Sequence, residues 1–582
     1  MAKYYTDEKS VQIVIALLKA HGVRKVIASP GTTNITLVAS MQHDPHFEMF
    51  SAVDERSAAY MACGLAAESG EPVILSCTGA TASRNYLPGM TEAYYRKLPI
   101  LAITSSQNVA KVGHHIAQVI DRSSMQNDVT RLSVTLPVIK DDDDLWECEV
   151  KANTAILELR RHGGGPAHIN LPTTYSRNYH VKKLPNFRII NRITATDSFP
   201  DLPPGKIAVF AGAHKTMTKP LIEALDKFCS TNNAIVFCDH TSGYNGKFKS
   251  LFSLAACQQM SALANSRPDL LIHIGEISGD YYNLKIGGKQ IWRVNEDGEI
   301  RDTFRRLRYV FEMDEQKFFL HYSENERVET ADYLHECTHH LNKLYDKIPE
   351  LPFSNIWLAS KMAHCIPEGS TIHFGILNSL RSWNFFQLPH SVRSNSNVGG
   401  FGIDGCLSSL VGASLADNNR LYFGVIGDLS FFYDMNAIGN RHVGNNLRIL
   451  LINNGKGTEF RNFNHPGDSF GDNADKYIAA SGHFGDKSQT LVKHYAQNLG
   501  FEYFSATNKK EFELVNNRFL SNTITEKPML FEVFTDSVNE SNALNTIMNL
   551  EKSIKGKTKK VTKKIIGEQN LKILKKIGSI AN

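Results

Sequence analysis

Residues 424–460, GVIGDLSFFYDMNAIGNRHVGNNLRILLINNGKGTEF, set two apolar runs on either side of a helix-compatible segment, and each run ends in a polar turn. The runs YFGVIGD and LRILLINN are continuously apolar rather than alternating, the pattern of parallel strands covered on both faces. Joined by a crossover they form a βαβ unit, which brings Asp428 and Asn454, 26 positions apart, to the carboxyl edge of one sheet. An oxygen-only pair in that crevice suits a hard cation. Magnesium takes octahedral oxygen geometry, uses few protein ligands and completes its shell with phosphate oxygens. A helix starting near Leu429 and Ser430 would offer its N-terminal N–H groups to a diphosphate.

The same alternation of strand and helix recurs along the chain. Residues 1–185 contain VRKVIASPG, PVILSCTG and PILAITSS, separated by amphipathic stretches, and are followed by an extended Pro-rich linker. A second set, KIAVFAGA, NAIVFCDH, DLLIHIG and KQIWRVNEDGE, lies within residues 186–350, which close with a helical connection. The third, residues 351–550, holds STIHFG, YFGVIGD, RILLIN and MLFEVF. The expectation is an α/β protein of three doubly wound parallel-sheet domains with a tail at 551–582.

Charge narrows the function classes. The net +5 is carried by the tail, whose ten lysines and two glutamates leave residues 1–550 at −3. A mildly acidic body gives no sign of nucleic-acid binding. The start, MAKYYTDEKS, has no basic region followed by an apolar one, and no run is long enough to span a membrane, so a cytoplasmic protein is expected. Nine cysteines without a CxxC pair, several in apolar strand runs, read as reduced buried thiols.

Gly427-Asp428 followed by Asn453-Asn454 at the end of an apolar strand resembles the signature of thiamine diphosphate enzymes of the decarboxylase and acetolactate-synthase type. The wording GDLSFFYDMNAI is most similar to the branch of the menaquinone-pathway 2-succinyl-5-enolpyruvyl-6-hydroxy-3-cyclohexene-1-carboxylate synthase. The resemblance implies that the first domain binds the aminopyrimidine and the third the diphosphate, and that Asp428, Asn454 and the backbone of Gly455 or Lys456 hold Mg2+. In that family a carboxylate on the pyrimidine drives the cofactor into its reactive form. Glu55, in FSAVDERSAAYMACGLA, matches that position. Ile403, in SNSNVGGFGIDG, matches the aliphatic wedge that bends the cofactor. Further cofactor contacts are implied for Pro30, Gly31, Thr78, Asn85, Phe401, Gly402, Gly427, Leu429 and Ser430.

Loops that line the substrate pocket in relatives correspond to SPGTTN, with Thr32, Thr33 and Asn34, and to HHIAQ, with His114, His115 and Gln118. Ser379 and Arg381 are further substrate candidates. Paired histidines resemble the proton relays of simple 2-oxo acid decarboxylases, and adjacent histidines are also an ordinary loop feature. Where the synthase branch grips carboxylates with arginines, this chain has Thr33, Trp383 and Val398, with Arg381 or Arg393 left to compensate. The activity implied is decarboxylation of a 2-oxo acid with transfer of the resulting carbanion-enamine to a carbonyl or alkene acceptor, the substrate differing from isochorismate. Release of an aldehyde is the alternative, and a non-catalytic paralogue that binds the cofactor is a third. The family's active sites form between subunits, which implies a homodimer or homotetramer.

Two other signals belong to different classes. His335-Glu336-Cys337-Thr338-His339 fits HExxH, the helix-borne zinc motif of peptidases, and fits equally a helix whose apolar face is Leu334, Cys337, Leu341 and Leu344. The Lys-rich tail reads either as a basic amphipathic segment for an anionic membrane surface or acidic partner, or as a solvated terminus.

Overall fold

The computed structural model describes residues 4–122, 125–258, 266–324, 331–484 and 488–551. The chain divides into two compact units, Met1–Phe199 with Asp297–Glu312, and Pro200–Glu296 with Met313–Asn582.

The first unit carries β1 (Lys25–Ala28), β2 (Glu48–Ser51), β3 (Val73–Cys77), β4 (Ile100–Ser106), β5 (Leu132–Thr135) and β6 (Ala167–Pro172). They form one parallel sheet in the order β2-β1-β3-β4-β6-β5. Successive strand residues face opposite sides. Val26, Ile74, Leu101 and Ile169 pack with the helices Lys9–Ala20 and Asp142–Glu158 into one core. Their neighbours Ile27, Leu75 and Ala102 pack into a second core with the helices Glu55–Ser69 and Leu87–Tyr95. The sheet is therefore covered on both faces. Those last two helices meet closely, since a Cβ on Gly89 would lie 2.4 Å from that of Ala59. A short strand, β7 (Asn191–Thr194), lies within the stretch whose sequence reads as an extended linker.

The second unit opens with β8 (Ile207–Ala211), β9 (Ile235–Cys238), β10 (Lys249–Leu251), β11 (Leu270–Ile274) and β12 (Gln290–Asn295), parallel in the order β10-β9-β8-β11-β12. The chain then returns to the first unit as β13 (Leu307–Glu312), which pairs with β7. The third sheet consists of β14 (Thr371–Phe374), β15 (Arg393–Ser396), β16 (Tyr422–Gly427), β17 (Leu447–Asn453), β18 (Glu502–Ala506) and β19 (Met529–Phe534), in the order β15-β14-β16-β17-β19-β18. All the pairings of these sheets are parallel, so the fold is α/β with three parallel-sheet domains.

Within the second unit, His240 beyond β9 bonds to the helix Asn378–Trp383, its backbone N–H donating to Asn384 Oδ1 at 2.9 Å. All nine cysteines are free, and Cys365 alone is exposed. Among the described residues no helix is long and apolar enough to cross a membrane. The basic tail lies outside the described residues except for Glu551, whose carboxylate sits 3.0 Å from His340 Nε2.

Candidate active site

In the first unit the predicted residues gather at the carboxyl ends of β1, β3 and β4. Asp54 caps the helix Glu55–Ser69 by accepting from the Ser57 N–H at 2.8 Å. That cap fixes Glu55 as the first helical residue, half-buried, with Asn85 Nδ2 3.5 Å from its carboxylate. Pro30 is exposed and Gly31 passes directly over Thr78, where a Cβ on Gly31 would sit 2.5 Å from the Thr78 Cβ. Only glycine allows that approach.

Thr32 is exposed, whereas Thr33 and Asn34 are each 2% exposed and turn inward. The Thr33 hydroxyl lies 2.6 Å from that of Thr78 and donates to the Ser105 carbonyl at 2.8 Å. The Thr33 carbonyl accepts from the Thr173 hydroxyl at 2.9 Å. Asn34 Nδ2 donates to the Ser29 carbonyl at 3.0 Å. Thr33 thus clips together the ends of three strands, and of Thr32, Thr33 and Asn34 it is Thr32 that is exposed. His114, His115 and Gln118 are exposed on an irregular loop. His115 and Gln118 have φ of 55° and 63°, and Ala80, two residues past Thr78, has φ of 58°. Non-glycine residues in the left-handed region concentrate where the surrounding fold imposes them, often at sites.

The second unit holds the metal candidates. Gly427 of β16 lies opposite Ile452 of β17, so Asp428 and Asn454 leave the sheet at the same edge. Asp428 begins the helix Asp428–Asp434, is buried, and accepts its neighbour Leu429's N–H at 2.9 Å. The two asparagines differ in role. Asn453 is closed within the fold, its Nδ2 donating to Glu532 at 2.7 Å and its Oδ1 accepting from the Gly455 N–H at 3.2 Å. Asn454 Oδ1 is buried with no partner among the described residues. A buried acceptor left open beside a buried carboxylate is the donor set of a small hard cation. The Lys456 ammonium points away to Asp475 at 2.7 Å, and its carbonyl accepts the Thr458 N–H at 2.9 Å.

The loop before this helix is tied to it. Ser430 Oγ donates to the Ile403 carbonyl at 2.6 Å, which fixes Ile403, itself half-buried. Phe401 has φ of 56° and its ring centroid is 5.8 Å from that of Tyr281. The next residue, Gly402, approaches Asp404, where a Cβ would meet Oδ1 at 2.5 Å.

Arg381 is buried, and its guanidinium is taken by Glu459 in a fork of 2.8–3.1 Å bonds. Burial alone would lower its pKa, and the Glu459 charge raises it instead. Ser379 is buried beside Asn355 at 3.4 Å, and Arg393 is exposed on β15. Trp383 and Val398, at positions where the resemblance expects arginines, are core residues, the Trp383 indole donating to Asn355 at 3.2 Å.

On the helix Asp332–Tyr345, His335 and His339 are exposed and Glu336 pairs with Lys206 at 2.7 Å, while Tyr333, Cys337, Leu341 and Leu344 face the core. Among the described residues no group of three His, Cys, Asp or Glu side chains is arranged for a metal. Sequence reasoning missed Arg122 of the first unit, buried beside Asn170 of β6. A lone arginine in VIDRSS carries no signal in the sequence.

Residues 9–125 match the family described as thiamine pyrophosphate enzyme, N-terminal TPP binding domain. The 2-succinyl-5-enolpyruvyl-6-hydroxy-3-cyclohexene-1-carboxylate synthase of Bacteroides fragilis is 31% identical over 556 residues, 93% of this chain and 98% of the relative. The proteins of the same name from Phocaeicola vulgatus and Bacteroides thetaiotaomicron are each 30% identical with the same coverage. This likeness extends over nearly the whole chain, with Glu55 at a helix start and Asp428 and Asn454 at one sheet edge, and the chain belongs to the thiamine diphosphate enzyme family, in the branch of these synthases.

Proposed function

We propose that this protein decarboxylates a 2-oxo acid with thiamine diphosphate and Mg2+ and joins the remaining carbons to an acceptor. The observation that carries the reading is the open Asn454 Oδ1 beside Asp428 at the edge shared by β16 and β17. Asp428 and Asn454 would hold the metal, with Lys456 contributing its carbonyl rather than its ammonium. The bound cofactor supplies a carbon nucleophile and an electron sink. Glu55 would hold a proton at a pyrimidine nitrogen, and Asn85, within reach of its carboxylate, would orient it. Ile403, fixed through Ser430, would shape the cofactor's bend.

The family's division of the site between two subunits supports a homodimer or homotetramer. Burial of Thr33, Trp383 and Val398 supports an acceptor unlike that of the relatives, since no cation stands at those places. An arginine–carboxylate contact contributes about 1.5–3 kcal/mol, so the loss of three changes substrate choice. A second reading, simple decarboxylation with aldehyde release, is favoured by the exposure of His114 and His115 on the loop next to Gln118.

Carbon dioxide release from a panel of 2-oxo acids, with cofactor and Mg2+, tests the proposal. Release by the native chain, lost in Glu55→Gln and stimulated by a carbonyl or alkene acceptor, is the expected result. Release with stoichiometric aldehyde and no response to any acceptor favours the second reading. No release from any acid despite bound cofactor contradicts both.

A further inference from the structure

The first unit buries a cation that no described residue neutralises. Arg122 is 7% exposed. Its Nη2 donates to Asn170 Oδ1 at 2.6 Å, and its Nη1 is sealed from solvent with no partner among the described residues. Burial lowers its pKa to about 10, with a smaller raising effect from Cys77 and a smaller lowering one from Arg84, so the guanidinium stays charged near neutral pH. None of these neighbours supplies a negative charge. Burial pushes the Cys77 thiol up to about 12, Arg84 has the same sign, and burial holds His168 at about 3 and hence neutral. An uncompensated buried charge is costly, and an unpaired buried donor calls for a partner.

Arg122 lies on the wall of a cavity of about 300 Å³. Val112 and Val119 give it an apolar side, and Gln118, Asp121 and Asn170 join Arg122 on the polar side. Asp121 is not among the groups that act on the ionisation of Arg122. We propose that this cavity is a carboxylate subsite in which Arg122, held by Asn170, takes a carboxylate that the substrate keeps throughout the reaction. The inference rests on the reading above, which puts Gln118 in the substrate pocket of a 2-oxo acid enzyme. A guanidinium on the carboxylate that leaves as carbon dioxide would stabilise the ground state more than the transition state, where that charge has moved into the rest of the molecule. The group held is therefore a second carboxylate, on the donor or on the acceptor. Arg122 is a specificity residue that sequence matching to arginine positions does not find.

Calorimetric titration of the full chain with glutarate, without cofactor, reads the subsite apart from turnover. The native chain should bind glutarate at least about tenfold more tightly than glutaramide, the scale of one charge-assisted pair. Arg122→Gln should reduce glutarate affinity to the glutaramide level, and Arg122→Lys should restore part of it. Val112→Phe, which fills the cavity and leaves the guanidinium in place, should also abolish binding. No glutarate binding by the native chain, or equal affinity in Arg122→Gln, overturns the subsite. Equal affinity alongside Glu55-dependent carbon dioxide release would overturn the subsite and leave the functional reading intact. Arg122-dependent glutarate binding in a chain that releases no carbon dioxide would do the reverse. Comparison of 2-oxoglutarate with 2-oxopentanoate locates the carboxylate. A KM rise in Arg122→Gln confined to 2-oxoglutarate assigns it to the donor, and no rise with either, glutarate binding being lost, assigns it to the acceptor.

Discussion

Arg381 and Arg122 are buried to nearly the same degree, 8% and 7% exposed, yet among the described residues one charge is answered and the other is not. Glu459 takes Arg381 through both oxygens and raises its pKa against the effect of burial. Among the described residues Arg122 bonds to a neutral amide and leaves Nη1 open, and burial lowers its pKa to about 10. The same contrast separates Thr33, whose hydroxyl is bonded on both sides, from Asn454, whose Oδ1 has no partner among the described residues. Closed groups hold strand ends and helices in place, and open ones are left for something that arrives later. By that criterion we assign Arg381 and Thr33 to the scaffold and propose Arg122 and Asn454 for the site.

The largest effect expected from this contrast is on Arg381. Arg381→Met leaves the half-buried Glu459 without its cation and should cost about 3 kcal/mol in urea unfolding, with most of it recovered on adding Glu459→Leu. Arg122→Met removes a charge that no described residue balances and should change stability by less than about 1 kcal/mol. Equal losses would erase the distinction. A carboxylate without a cation sharpens it. Glu540 is buried, and burial raises its pKa to about 7 despite bonds from Thr535 and the Asn355 N–H. Its folded state binds the proton more tightly than the unfolded chain, so its contribution is full below about pH 4.5 and disappears as pH rises through about 7. Stability should fall by about 2–3 kcal/mol across that range, and the fall should be absent in Glu540→Gln. A pH-independent difference between the two would contradict the assignment.

Smaller effects test the polar pair. Thr33→Val should cost about 1–2 kcal/mol by leaving Thr78 and the Ser105 carbonyl unpaired, with KM for the donor acid unchanged. A raised KM at unchanged stability would return Thr33 to the substrate. Asn454→Ala should alter stability by less than about 0.5 kcal/mol and raise the Mg2+ concentration for half-maximal activity about tenfold or more. A large stability loss without a change in Mg2+ dependence would show that Asn454 is structural.

Much of the architecture is legible in the sequence because interior parallel strands are uninterrupted apolar runs: β3, β8, β11, β16, β17 and β19 all read directly from it. Among the strands that escape notice, β5, β10, β15 and β18 lie at sheet edges, pair on one side and carry mixed side chains such as RSNS. β6 is hidden for another reason, because His168 and Asn170 interrupt its pattern and are satisfied by Thr104, Ser133 and Arg122. In the site, Asp428, Asn454 and Glu55 are legible because each stands at the end of a regular element. The partners of Thr33, Arg381 and Arg122 are set by residues 45, 78 and 48 positions away, a distance over which no local pattern carries information.

The proposed activity requires Glu55 to act at the cofactor rather than as a helix-terminal charge. The direct measurement is hydrogen–deuterium exchange at the C2 position of thiamine diphosphate bound to the chain with Mg2+, in native protein and in Glu55→Gln with cofactor saturated in both. Exchange at least about a hundredfold faster in the native chain is the predicted result, the size of a positioned acid–base group. Equal rates in the two proteins would contradict it and leave Glu55 as no more than the first residue of its helix.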